Sequence, residues 1–574
     1  MTRPDALTVL LLLVALVGAC TSGDGVPETT GGSGPAGGTG APSGTVSIPL
    51  QPPVEATALA EDACRNTDRD VLLRTWRGVR LDRSGDIQIV PVEPNFVNGG
   101  LTHATPFDYT QDVPLFLYGP GFVRPGVYER PVTLADLAPT TGALLKFPFS
   151  ARDGRALTPA LLSEAERSLP RLVVTVIWDS GGDDVLERWP ESWPYLDSLR
   201  PNGAWFTNAT VGASPSNTPI GHATIGTGAF PMHHGFVDEY IRVNGRMQKP
   251  NANGPAFLLE PTLADLYDLA NGNEPKVGAI ATLSAHIMMM SHGAMWGGAD
   301  RDLAVTREKE FGETAGEESV SWNLTSAMAP FYDLPSYVND LPPLVGYVDD
   351  VDRQDGAFDG MWRDNDLDQL SSGFDSPART PFQQTLVESV IEHEGFGADE
   401  VPDLLYVNYK AIDTIGHLFS ADGIEMSDAV QTQDAALRGF VDFLDETVGE
   451  GEWAMVLTAD HGTQRDPATS GAFMIDIAKL ESGLTRTFDD GDEVPLVQKV
   501  RPTEIWLDRE ELDANGFTLA QVARWMLGLT QADTFKNQNL PQPGNEGQPV
   551  FAAVLPSSIL GKLPCLPEAL ASAA

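Results

Sequence analysis

Four short, unbroken apolar runs, 113–118, 172–178, 404–409 and 454–458, constrain the fold of this chain most. Each is rich in β-branched and large aliphatic residues and shorter than an ordinary helix, the pattern of strands covered on both faces. Helical patterns lie between them. The clearest, 429–448, carries Val430, Leu437, Val441, Leu444 and Val448 on one face, with Ser427 or Asp428 placed to cap its start and Gly449 past its end. Strands alternating with helices predict an α/β fold, a three-layer sandwich around a mostly parallel central sheet.

Open α/β sheets bind ligands beyond the carboxyl ends of their strands. Asp179 follows the second run; Asp413 and His417 follow the third in Asp413-Thr414-Ile415-Gly416-His417; Asp460 and His461 follow the fourth in Asp460-His461-Gly462. A single Asp there is ordinarily a turn or helix cap and a single His a structural group. Three such strand ends, two with both residue types, exceed what capping explains, and carboxylate with imidazole suits zinc or a similar divalent ion. Elsewhere, Asn217-Thr218-Pro219-Ile220-Gly221-His222 sets a hydroxyl before a proline suited to the first position of a helix. Thr218 then reads either as the N-cap of a small-residue packing helix or as a hydroxyl held where a helix N-terminus favours a phosphoryl group.

The ordered set Asp179, Thr218 before Pro-x-Gly-His, Asp413-x-x-x-His417 and Asp460-His461-Gly462 resembles the alkaline phosphatase superfamily. Its nearest branch is that of type I phosphodiesterases and nucleotide pyrophosphatases, with their phosphate-irrepressible monoesterase relatives. In that family a further ligand histidine follows Asp-His-Gly, but no histidine occurs after His461 here. A matching string stands instead near the N-terminus: His103 precedes the run 113–118, which is followed by Leu134-Ala135-Asp136-Leu137-Ala138-Pro139-Thr140-Thr141. The resemblance therefore implies a circular permutation, with 80–160 as the family's C-terminal block; the alternative is a site that has lost one ligand.

Carried over residue by residue, the resemblance implies two divalent ions, expected to be zinc, one on Asp179, Thr218, Asp460 and His461, the other on Asp413, His417 and His103. Thr218 would be the nucleophile, passing through a phosphothreonine. His222 reads as a packing residue. Asn217, Glu239 and His286 are the candidate substrate contacts. Counted without gaps from Thr218, Glu239 falls where relatives often carry a phosphate-binding Asn, and a carboxylate there repels phosphate unless protonated, turned away or bound to a cation. The monoesterase relatives place Lys and Arg on a segment matching 284–286, which has neither. A diester monoanion needs less positive charge than a monoester dianion, so a phosphodiesterase or pyrophosphatase is the first expectation. A monoesterase and an inactive, surface-anchored binding protein are the alternatives. A sulfatase would need Cys or Ser at position 218.

A net charge of −43 over 574 residues disfavours nucleic acid or an anionic membrane surface as a partner. Arg3, an apolar run over 6–17 and Val17-Gly18-Ala19-Cys20 read as a lipoprotein signal peptide (1–19), with Cys20 as a lipid anchor to the bacterial cell membrane and plain secretion as the alternative. The Gly/Ser/Pro-rich stretch 20–55 reads as a flexible tether, and 56–574 as the catalytic domain. With Cys20 lipidated, Cys64 and Cys565 remain as an even pair in an oxidising compartment and are expected to form a disulfide. Residues 295–380, rich in Asp, Pro and Gly, read as an inserted cap or loop. The oligomeric state is left open.

Overall fold

The computed structural model describes residues 56–282, 285–307, 321–535 and 540–566. The expected signal peptide, lipid anchor Cys20 and tether fall outside the described residues. Thirteen of the described strands organise the domain. They are β1 (Ile87–Pro91), β2 (Leu115–Tyr118), β3 (Gly126–Tyr128), β4 (Leu172–Trp178), β5 (Ala204–Phe206), β6 (Val277–Ala281) and β7 (Asp302–Val305). The remainder are β8 (Tyr332–Asp333), β9 (Asp403–Tyr409), β10 (Trp453–Thr458), β11 (Val497–Val500), β12 (Glu504–Leu507) and β13 (Phe551–Pro556).

Nine of them form one sheet in the order β8–β7–β6–β9–β4–β10–β2–β5–β3. From β8 to β10 every pairing is parallel, and β2 alone runs against its neighbours β10 and β5. At the centre β4 pairs with β9 from Leu172 opposite Asp403 to Trp178 opposite Tyr409. All seven residues of β4 and of β9 are buried.

The pleat divides these apolar runs between two cores. Val174, Val176 and Trp178 face one core with Leu405, Val407 and helices Arg379–Glu394 and Ile424–Leu444. Val173 and Ile177 face the other with Leu404, Tyr406 and helices Leu137–Leu144 and Thr218–Thr227. The result is the three-layer sandwich expected, with helices on both faces of a mostly parallel sheet.

A second, antiparallel sheet, β11–β12–β1–β13, joins the two ends of the described chain over a third core. The Cys64–Cys565 disulfide closes it, with Cα atoms 5.7 Å apart.

Three expectations are corrected. Segment 295–380 is not simply a cap, because its apolar residues at 303–305 and Tyr332 build the outer strands β7 and β8, while Trp322, Trp362 and Phe374 enter the core. Helix 429–448 begins earlier, at Ile424 after Gly423, so neither Ser427 nor Asp428 caps it. Asp428 instead accepts from Arg363 Nε and Nη2, both at 2.7 Å, and from Trp362 Nε1 at 3.0 Å. Finally, Asn217 rather than Thr218 caps the helix Thr218–Thr227, its Oδ1 accepting from Ile220 N at 3.4 Å. Among the described residues no helix is long and apolar enough to cross a membrane.

Candidate active site

Because Asn217 supplies the cap, the hydroxyl of Thr218 in the first turn is released to face the sheet. Two glycines bring the elements together: a Cβ at Gly221 would lie 2.6 Å from Cβ and O of Asp460, and one at Gly462 would lie 2.4 Å from Tyr109 O. The helix N-terminus thus rests on the carboxyl end of β10, where Asp460 and His461 emerge. Asp179 leaves β4, its N–H donating to Tyr409 O. Beyond β9 the helix Ala411–Phe419 begins, and Asp413 and His417 share one of its faces at i and i+4. His103 arrives from the segment before β2.

The three histidines are anchored alike. Nδ1 of His103 donates to Ser216 O (2.8 Å), Nδ1 of His417 to Leu101 O (3.1 Å) and Nδ1 of His461 to Gly462 O (3.0 Å). Each ring therefore presents a bare Nε2, the tautomer of a metal ligand oriented by its other nitrogen. Nε2 of His103 and of His417 each stand 3.6 Å from Asp413 Oδ1. Nε2 of His461 lies 3.6 Å from Asp179 Oδ1, 3.5 Å from Asp460 Oδ2 and 3.3 Å from Thr218 Oγ1.

Those separations suit ligand atoms around one ion: tetrahedral zinc with ~2.0–2.2 Å bonds keeps its ligands roughly 3.3–3.5 Å apart. Among the described residues, the buried atoms Asp413 Oδ1 and Asp460 Oδ2 have no hydrogen-bond partner. An orphaned buried carboxylate oxygen is costly unless a cation meets it. Two groupings able to hold an ion overlap here, His103–Asp413–His461 and Asp179–Asp460–His461. The residues present fit a divalent ion.

A group that sequence reasoning missed lies between them. Lys410, the residue between β9 and its helix, places Nζ 2.8 Å from Asp179 Oδ1, 2.9 Å from Asp413 Oδ2 and 3.1 Å from Thr218 Oγ1. Its signal in the sequence is its place at the end of a buried strand, three residues before Asp413. Burial alone would lower its pKa, but Asp179, Asp413 and Asp460 outweigh that and raise it, so the ammonium stays charged. Burial likewise would raise Asp413, yet Lys410, His417 and His103 hold it well below the usual carboxylate range. Burial wins at Asp179, pushed up to about 6, and at Asp460, pushed well above its ordinary value with the help of Asp179. It also drives His103 down to about 4 and His461 well below its ordinary value, so both rings are neutral.

Asn408 was missed too. Its Nδ2 donates to Asp179 Oδ2 (2.8 Å) and to His222 Nε2 (2.9 Å), while His222 Nδ1 donates to Thr218 O (2.8 Å). His222 is thus a fully buried brace behind the nucleophile helix, as its packing assignment expected. Asn217 Nδ2, unlike its capping oxygen, is buried and without a hydrogen-bond partner among the described residues. Glu239 is ion-paired with Arg501, whose Nη2 lies 3.1 Å from its carboxylate and whose Nε lies 2.9 Å from buried Asp238. Burial tends to raise Glu239, but Arg501, Lys249 and His286 lower it, so it is a carboxylate bound to a cation. His286, on the turn Ala285–Ile287, is pushed down to about 4 by burial despite the pull of Glu239.

The remaining histidines have structural partners. His233 meets Asp153, His234 meets Thr224, His292 meets Asp265 and His393 meets Ser389.

Comparison with known proteins agrees in kind. The sequence profile described as "Type I phosphodiesterase / nucleotide pyrophosphatase" matches residues 173–545. A calcium-transporting ATPase of Myroides odoratus is 26% identical over 62% of this chain and 72% of its own length. Alkaline phosphatase PafA of Elizabethkingia meningoseptica is 23% identical over 65% of this chain and 77% of its own. The crystal structure of wild-type PafA superposes with a TM-score of 0.47 at 18% identity, covering 67% of this chain and 84% of that one.

Proposed function

Because the chain belongs to the type I phosphodiesterase / nucleotide pyrophosphatase family, and is thereby a hydrolase of phosphoric esters, we propose that Thr218 is its nucleophile and that phosphodiesters or pyrophosphates are its substrates. The observation that carries this reading is the convergence beside Thr218 of three bare Nε2 atoms and two unpaired carboxylate oxygens.

Asp413, His103 and His417 would hold one divalent ion, and Asp179, Asp460, His461 and Thr218 another; nitrogen with oxygen donors at this spacing suits zinc. Such ions, when bound, supply Lewis acidity to the attacking and leaving oxygens. The chain's own residues do the rest. Asn217 fixes the first turn, so that Thr218 Oγ1 stands between Lys410 Nζ and His461 Nε2. The hydroxyl oxygen accepts from the ammonium, which favours negative charge on it; with the His461 Nε2 lone pair taken by an ion, the hydroxyl proton leaves to water. Oγ1 attacks phosphorus, the bond to the leaving oxygen breaks, and water hydrolyses the phosphothreonine. Asn217 Nδ2 is an unused donor at the same helix end for a phosphoryl oxygen.

Glu239, ion-paired with an Arg501 that it shares with Asp238, adds no net positive charge, and 284–286 carries no Lys or Arg. This balance suits the monoanion of a diester. His103 in the ligand set also supports the reading of 80–160 as a permuted C-terminal block of the family. The Cys64–Cys565 disulfide and the leader support a place outside the cytoplasm, anchored at Cys20.

The test is the ratio of hydrolysis rates on a model diester and a model monoester, with zinc content measured alongside. The expected ratio favours the diester, and Thr218→Ala is expected to lose at least about 10³-fold in rate with its zinc content reported separately. Full activity in Thr218→Ala would sink the nucleophile assignment.

A further inference from the structure

We infer that Lys410 is a resident cation of the site: its ammonium stands in for the divalent ion at Asp179, Thr218, Asp460 and His461, so that the chain holds one divalent ion tightly, on Asp413, His103 and His417, and a second only weakly. The inference rests on the hydrolase reading above and narrows it.

The two donor sets are not equally open. In the first, two of the four ligand atoms already accept from the ammonium, Asp179 Oδ1 at 2.8 Å and Thr218 Oγ1 at 3.1 Å. An ion sharing those two oxygens would lie within a few ångströms of a fixed positive charge, where repulsion is strong. In the second set the ammonium touches Asp413 only through Oδ2, at 2.9 Å. Asp413 Oδ1, the atom facing His103 and His417 at 3.6 Å, is left without a hydrogen-bond partner among the described residues. Each set keeps one unpartnered carboxylate oxygen, Asp460 Oδ2 in the first and Asp413 Oδ1 in the second, but only the first has two of its other ligand atoms already taken by a built-in cation.

Lys410 is placed for this role by the fold. It sits at the junction of β9 and the helix Ala411–Phe419, so its backbone is fixed by the central strand of the sheet, and its side chain is 12% exposed. A lysine reaching inward from such a junction, between acceptors from two different strand ends, is held like a buried ion pair rather than like a mobile surface cation. The consequence for substrate follows from charge. An ammonium with one divalent ion brings one positive charge fewer than two divalent ions, which matches a monoanionic phosphodiester better than a dianionic monoester. Lys410 touches the attacking oxygen, so it is a catalytic residue, and it acts there without the exchange or loss to which a weakly held ion is open.

Zinc titration of the full chain by calorimetry, with bound metal counted after dialysis, tests the assignment. The wild type is expected to hold one tight equivalent, with any second at least about tenfold weaker. Lys410→Met is expected to hold two equivalents of similar affinity. His417→Ala is expected to lose the tight equivalent, whereas Asp460→Asn is expected to keep it. Two tight equivalents in the wild type would overturn the inference while leaving the hydrolase reading intact. So would loss of the tight equivalent in Asp460→Asn. Absence of zinc from every protein would overturn both. The wild-type count and the two ligand variants decide the matter even if Lys410→Met fails to fold.

Discussion

The imidazoles of His103 and His461 stack face to face, with centroids 3.7 Å apart and planes inclined by 12°. One comes from the segment before β2 and the other from the end of β10, which pair antiparallel in the sheet. Burial lowers the pKa of both rings and keeps them neutral, so no charge repulsion opposes the stack. The N-terminal block is therefore part of the site's wall.

Replacing His103 by Ala removes a ring from that stack and an Nε2 facing Asp413. Zinc affinity is expected to fall by at least about 10–100-fold, with a parallel loss of hydrolysis. Unchanged metal content in the variant would detach the N-terminal block from the site.

Arg501 separates two carboxylates of different exposure. Asp238 is fully buried, so Arg501→Ala leaves a buried charge without its partner and is expected to cost about 3–5 kcal/mol of stability. Glu239 is 38% exposed, and Glu239→Gln is expected to change stability by less than about 1 kcal/mol. The same Glu239→Gln change removes a negative charge near the site and is expected to raise monoester hydrolysis relative to diester hydrolysis by a few-fold. Melting temperatures that move equally in the two variants would refute this division.

Asp183, at the start of the helix Asp183–Arg188, has its carboxyl pushed up to about 7 by burial, then by Asp112 and Glu187. Between the ordinary Asp value of 3.8 and about 7 the folded state binds the proton more tightly than the unfolded chain, so stability falls as pH rises through that window. Asp183→Asn is expected to gain about 1–2 kcal/mol at pH 8, a figure reduced for partial exposure, and nothing at pH 4. Scanning calorimetry at the two pH values checks the sign; an equal gain at both would remove the titration from the explanation.

Cys64 and Cys565 join the first described helix, Ala56–Asn66, to the turn after the last strand. Removing the bridge in Cys64→Ser/Cys565→Ser is expected to cost about 2–4 kcal/mol, read as a melting temperature lower by a few degrees. Hydrolysis at 25 °C is expected to survive, because the site lies on the main sheet and the bridge on the third core. A loss of activity without loss of fold would contradict that separation.

The central strands were legible because β4, β9 and β10 are covered on both faces, which forces unbroken apolar runs. The residues at their ends were legible because Asp with His at one place has few structural uses. Lys410 escaped because an inward lysine is written like any surface lysine; only the carboxylates around it reveal its direction. Thr218 was placed one position early in its helix because Asn217 and Thr218 both suit an N-cap, and contact with Lys410 and His461 is what frees the threonine. Asp428 suggested a helix start, but its partners Arg363 and Trp362 come from a distant segment that local pattern does not see. β7 and β8 were obscured by the acidic composition around them, since a short edge strand and its neighbour need only a few apolar residues.

Strand β1 lies between β12 and β13, and Gly85 N donates to Glu504 Oε2 at 2.6 Å across 419 positions of sequence. A nascent chain therefore carries β1 through the synthesis of hundreds of further residues with neither partner in existence, and the small sheet closes only after β13 has been made. A product truncated before residue 551 would retain every candidate ligand from His103 to His461 yet expose one bare edge of β1, a template for pairing with another chain. Arrival of β13, rather than assembly of the catalytic centre, is what seals the small sheet.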